Sequence, residues 1–81
     1  MIKDNWTLNN YQMQAKKFAI YPEHMRVTYP TLGLAGEAGE VADKVKKIYR
    51  EDRTDARFLA EIAKEIGDVM WYCAALANDL G

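Results

Sequence analysis

Seven apolar side chains, Leu59, Ile62, Ile66, Val69, Cys73, Leu76 and Leu80, follow one another at alternating steps of three and four residues. That rhythm belongs to an α-helix with one face against other helices, and it predicts a helix from Asp55 or Ala56 to about Asp79, with Thr54 as its cap. Ala63, Met70, Ala74 and Ala77 widen the stripe to one side. A helix wetted only on a narrow strip needs neighbours on several sides, more than one short chain supplies, so a dimer or higher assembly is expected. Cys73 lies within the stripe and reads as a buried core thiol.

The rest of the chain is helical by the same criterion. Thr7 or Asn9 caps a first helix carrying Leu8, Tyr11, Ala15, Phe18 and Ala19 and ending near Tyr21-Pro22, where proline removes a donor and restricts its predecessor. A connector from Glu23 to Tyr29, with room for one short turn, leads to a second helix that begins at Thr28 or Tyr29 and runs to about Arg50. Pro30 is tolerated in its first turn. Leu34, Ala38, Val41, Val45 and Ile48 form its packing stripe. Gly33, Gly36 and Gly39 lower helix propensity there, which points to close approach of a neighbouring helix or a ligand. A charged connector, Glu51–Asp55, follows, and no segment alternates like a strand.

With 81 residues and a single cysteine the chain is one domain, 1–81, without an internal disulfide. Leu80-Gly81 reads either as a natural helix end or as the point beyond which a further C-terminal helix is missing. Eleven basic and twelve acidic residues nearly cancel, to a net charge of -1, which leaves no broad basic surface for nucleic acid. No apolar run is long enough to span a membrane, and the first residues lack a signal peptide, so the cytoplasm is the expected compartment.

Against this frame stand four acids. Glu37 and Glu40 lie three apart on one face of the second helix, and Glu65 and Asp68 three apart on the third. If these helices pack antiparallel, as the short connector favours, both pairs meet across one cleft. Converging carboxylates repel and raise one another's pKa values unless a cation sits among them. Hard oxygen donors suit magnesium, or manganese in its place. Iron and zinc sites want histidine or cysteine, and the one histidine, His24, falls in the connector, where it reads as an exposed loop residue.

Lys44 and Lys47 extend the Glu37–Glu40 face as candidate ligands for polyphosphate, and read equally as solvated helix lysines pairing at i,i+4. Tyr72 continues the Glu65–Asp68 stripe and joins them as a candidate substrate-binding side chain. On the same stripe Glu61 reads first as a surface glutamate and Asp79 as a helix-end acid. Trp6, Tyr11, Trp71 and Tyr72 suit packing in a small core at least as well as stacking on a base.

The segments Leu32–Lys47, LGLAGEAGEVADKVKK, and Glu61–Tyr72, EIAKEIGDVMWY, resemble the signature of the MazG-like nucleotide pyrophosphohydrolases. These belong to the all-alpha NTP pyrophosphatase superfamily, with dimeric dUTPases and phosphoribosyl-ATP pyrophosphatases as relatives. The resemblance covers about residues 28–80, and its Glu-x-x-Glu and Glu-x-x-Asp pairs fall on Glu37, Glu40, Glu65 and Asp68. It implies an antiparallel helical bundle completed by oligomerisation as a homodimer or homotetramer, with the site near the subunit interface. It also implies magnesium-dependent cleavage of a nucleoside triphosphate between its α and β phosphates, giving the monophosphate and pyrophosphate. A dUTPase, a phosphoribosyl-ATP pyrophosphatase and a non-catalytic helical oligomerisation module are the alternatives.

Overall fold

The computed structural model describes residues 7–81, so Trp6 lies outside the described residues. They form three α-helices, α1 (Leu8–Lys16), α2 (Thr28–Arg50) and α3 (Ala56–Leu80), with a 3-10 turn at Glu23–Met25 between the first two.

Thr7 caps α1, its hydroxyl accepting from the Asn10 amide at 3.1 Å. The helix stops at Lys16, earlier than the apolar spacing predicts. The Lys17, Phe18 and Ala19 amides bond back only three residues, to Gln14, Ala15 and Lys16, and this tightening ends the helix and takes Phe18 out of its stripe. Tyr21 is drawn to the far end of α3, where its hydroxyl donates to Asp79 at 2.7 Å.

The same aspartate fixes the start of α2. Val27 has φ 67°, an uncommon conformation for a β-branched residue, and its amide donates to Asp79 Oδ2 at 2.8 Å. Arg26 adds an ion pair to Asp79 at 3.6 Å. Asp79 is therefore more than a helix-end acid: it straps the connector to the end of α3. Pro30 sits buried in the first turn of α2, as expected.

The cap of α3 is Asp55 instead of Thr54, its carboxylate accepting from the Phe58 amide at 3.0 Å. This places Phe58 inward, 2% exposed, with the Arg53 guanidinium 4.0 Å from the ring centroid. α3 is the shared helix. One face, with Phe58 and Ile62, packs on α2; another, with Met70, Trp71 and Ala74, packs on Tyr11 and Ala15 of α1. Asn78 ties the second contact by donating to the Gln12 carbonyl at 3.1 Å.

The predicted stripe of α3 therefore divides. Ile62 is buried, and Val69 and Leu76 are half-buried. Leu59, Ile66 and Leu80 stay 45%, 47% and 69% exposed, and Cys73 between them is an exposed thiol, not the buried one the spacing suggests. Residues seven apart share a helix face, and the face holding positions 59, 66, 73 and 80 is covered by neither α1 nor α2.

Because Phe58 is the largest side chain buried in the α2–α3 seam at its connector end, Phe58→Ala is expected to cost about 3 kcal/mol or more. Urea unfolding checks this: the midpoint falls while the denaturant slope is kept.

Candidate metal centre

Glu37 faces inward on α2 because Pro30, Leu34, Val41 and Ile48 put that side of the helix against α3. Opposite it, Glu65 and Asp68 follow Ile62 on the buried side of α3. One carboxylate oxygen from each of Glu37, Glu65 and Asp68 lies within 4.8 Å of the others. All three residues are half-buried, and Glu37 Oε2 is fully enclosed without a hydrogen-bond partner among the described residues. Glu40 lies outside this group; it is exposed, one turn along α2.

The crowding shows in the titration of the pair. Glu37 is pushed up to about 7, first by a hydrogen bond to Glu65, then by burial and by repulsion from Glu65, Asp68 and Glu40. Glu65 is held below the usual carboxylate range, first by that same hydrogen bond and then by Lys44. An enclosed acceptor and three convergent carboxylate oxygens are the features of a site suited to a small hard cation.

Lys44 does not pair with Glu40 along its own helix. Its ammonium crosses the seam to Glu65 at 3.5 Å and Glu61 at 3.7 Å. Glu61 therefore belongs to the site's charge network and is not a bystander on the surface. Lys47 instead pairs within α2, with Asp43 at 3.5 Å. His24 is exposed in the 3-10 turn, away from the acids, as expected.

On the other side of the triad lies an aromatic hollow. The Tyr72 ring fills the space that a side chain at Gly33 would need, since a Cβ there would collide with the ring. This is the close approach that one of the three glycines provides. Tyr29 stands 6.3 Å from Tyr72, Tyr21 stacks on Tyr29 at 4.8 Å, and Trp71 meets Tyr72 edge-on at 5.2 Å. These rings line a cavity of ≈ 370 Å³. Tyr21 and Tyr29 were not singled out by the sequence, because no helical spacing relates a connector residue to a first-turn residue. Tyr11 is buried in the α1–α3 core, so packing accounts for it.

Residues 28–80 match the family described as the MazG nucleotide pyrophosphohydrolase domain. The chain belongs to that family. It is also 45% identical over 84 residues to the Gene 37 protein of Mycobacterium phage L5, a match that spans 86% of this chain and 68% of that protein. No solved structure matches it. The MazG domain contains the acid triad, Lys44, Gly33 and Tyr72, whereas Tyr21 and the helix that supports the hollow from outside precede it. The family and the candidate metal cluster together support a pyrophosphohydrolase-like, metal-assisted activity. No helix of the described residues is long and apolar enough to cross a membrane.

The raised Glu37 carboxyl sets a pH dependence for the metal-free protein. The folded state holds a proton more tightly than the unfolded one, so the stability this gives is complete below about 4.5 and is lost as pH rises through about 7. Glu65, held low, acts in the opposite sense as pH falls below its ordinary range. Thermal melts in a chelator should show a midpoint falling between these two values, and Glu37→Gln should flatten that fall. An equally steep decline in the variant would assign the effect elsewhere.

Proposed function

We propose that this chain is a nucleoside triphosphate pyrophosphohydrolase, cleaving (deoxy)nucleoside triphosphates between the α and β phosphates to monophosphate and pyrophosphate. The observation that carries this reading is the enclosed, half-buried meeting of Glu37, Glu65 and Asp68 beside a charged lysine and an aromatic hollow. Glu37, Glu65 and Asp68 would hold magnesium, or manganese, with exposed Glu40 as a fourth carboxylate at the mouth of the groove. The chemistry such an ion supplies is polarisation of phosphate oxygens and of water.

The chain's own groups divide the remaining work. The carboxylates orient water for in-line attack at the α phosphorus and accept its proton, while Lys44 and Lys47 balance the phosphate charge. Tyr72, one helical turn beyond Asp68, separates the acids from the hollow and gives a base a face to stack on. Both acid pairs stand on helices, so their positions are set before substrate arrives.

The activity is read directly by pyrophosphate release from a panel of nucleoside triphosphates with magnesium. Turnover is expected, and Glu37→Gln or Asp68→Asn should lower it on the order of 100-fold or more with the helical content retained. Exclusive turnover of dUTP or phosphoribosyl-ATP would move the assignment to those sister activities. No turnover on any member would favour a non-catalytic helical module.

The assembly belongs to the same proposal. The uncovered face of α3 carries Leu59, Ala63, Ile66, Cys73, Ala77 and Leu80, and Met70, which also touches α1, completes the row at steps of four and three. Read backwards the row is nearly the same, large residues at its ends and small ones next to them, with Met70 at its centre. A second copy of α3 laid antiparallel would set Leu59 against Leu80, Ala63 against Ala77 and Ile66 against Cys73, which is the self-complementarity a two-fold dimer requires. Ile66→Cys should form a disulfide to native Cys73 of the second copy, because within one helix these positions lie about 10 Å apart, beyond bonding reach. Crosslinked dimer on non-reducing gels is the expected result; a monomer by sedimentation would refute the pairing.

A further inference from the structure

We infer that Lys44 is the internal counter-ion of the acid cluster, neutralising Glu61 and Glu65 until a divalent cation displaces it, and thereby setting how tightly that cation binds. The inference rests on the metal reading above and goes beyond it, because it gives Lys44 a role before any substrate arrives. Three observations carry it.

The ammonium stands between two carboxylates of the opposite helix, 3.7 Å from Glu61 and 3.5 Å from Glu65, and the lysine side chain is only 20% exposed. Among the described residues it is the one cation paired with a member of the triad; Lys46 and Lys47 both turn to Asp43 on their own helix. Both distances exceed the roughly 2.7–2.9 Å of a tight charge-assisted hydrogen bond, so the lysine is held by charge and not locked by geometry.

Glu65 is the shared element, paired with Lys44 and a member of the convergent triad. A divalent cation held by Glu65 and the Lys44 ammonium on the same carboxylate repel, so occupation by one weakens the other. Lys44 sits on a flexible four-carbon stem in the first turn beyond Glu40, and when freed it can turn toward an anion in the same groove. The arrangement therefore exchanges a monovalent internal cation for a divalent external one, and leaves a lysine available to phosphate only after the exchange. A purely structural tie between α2 and α3 predicts something else: loss of Lys44 would loosen the fold and leave cation affinity unchanged.

The test uses the full chain without nucleotide, titrated with Mn²⁺ and followed by calorimetry and by loss of the free-ion paramagnetic signal. Lys44→Met keeps the length of the side chain and its helix propensity, and Lys44→Gln serves as a second neutral variant. Both should bind Mn²⁺ about three- to fivefold more tightly than the unaltered chain, the factor a partly exposed ion pair provides. Lys46→Met, which removes an equal charge away from the acids, should leave that affinity unchanged. With Mn²⁺ saturating, inorganic pyrophosphate should bind the two Lys44 variants more weakly.

Unaltered or weaker Mn²⁺ binding in the Lys44 variants would overturn the inference while leaving the metal centre standing. An equal gain from Lys46→Met would overturn it too, by assigning the effect to net charge. Failure of the unaltered chain itself to bind Mn²⁺ would instead sink the metal reading on which it rests.

Discussion

The antiparallel seam between α2 and α3 is the constraint on which both the fold and the site depend. Lys44 meets Glu61, Glu37 meets Asp68, and Gly33 meets Tyr72, and the intervals of seven and four residues between these positions are the same on both helices. A single register therefore fixes every cross-helix contact of the site. Its connector end is set by Phe58, buried under the Asp55 cap, and its other end by Asp79, which holds the Val27 amide and the Tyr21 hydroxyl. Between those anchors the seam is unusually polar for a structure with so few fully buried residues. Burial of Phe58 clamps one end and the hydrogen bonds of Asp79 the other, and the charges in the middle are tolerated because they are paired or half-wetted.

That balance explains why the site was legible in the sequence while much of the core was not. Glu37, Glu65 and Asp68 are recognisable because helix periodicity converts spacing into facing, and the periods of α2 and α3 are long and uninterrupted. Glu40 shares the spacing of Glu37 yet lies outside the convergent group, because it falls on the exposed side of α2 while Glu37 faces α3. The stripe of α3 misled for a related reason. Heptad spacing identifies an apolar face but does not say which neighbour covers it, so Ile62 met α2 while Ile66 and Cys73 remained uncovered.

What spacing could not supply is the non-periodic part. The early end of α1, the left-handed Val27 and the stacking of Tyr21 on Tyr29 all depend on where Asp79 falls after the chain has turned back on itself. Asp79 is kept ionised there, first by the Val27 amide and then, against some cost of burial, by the Tyr21 hydroxyl and Arg26; the Tyr21 phenol is pushed up to about 12 by burial and by that carboxylate. A sequence reader sees an aspartate near a helix end. Only the closed chain shows that it organises a strap.

Followed from the Phe58 end to the Asp79 end, the seam changes chemistry in order: apolar plug, lysine with two glutamates, three converging carboxylates, then aromatic rings. Such a gradient has a direction, and a ligand that fits it must have one too, with dense negative charge at one end and a flat apolar group at the other. The carboxylates alone would repel the charged end, and the rings alone would hold the flat end without positioning any bond for cleavage. A cation among the acids reverses the first of these effects, and the fixed register then places the rings at a set distance from it. In the proposed reading recognition and chemistry would be joined, because Tyr72 and Asp68 lie one turn apart on the same helix and a shift of α3 along α2 would disturb both together.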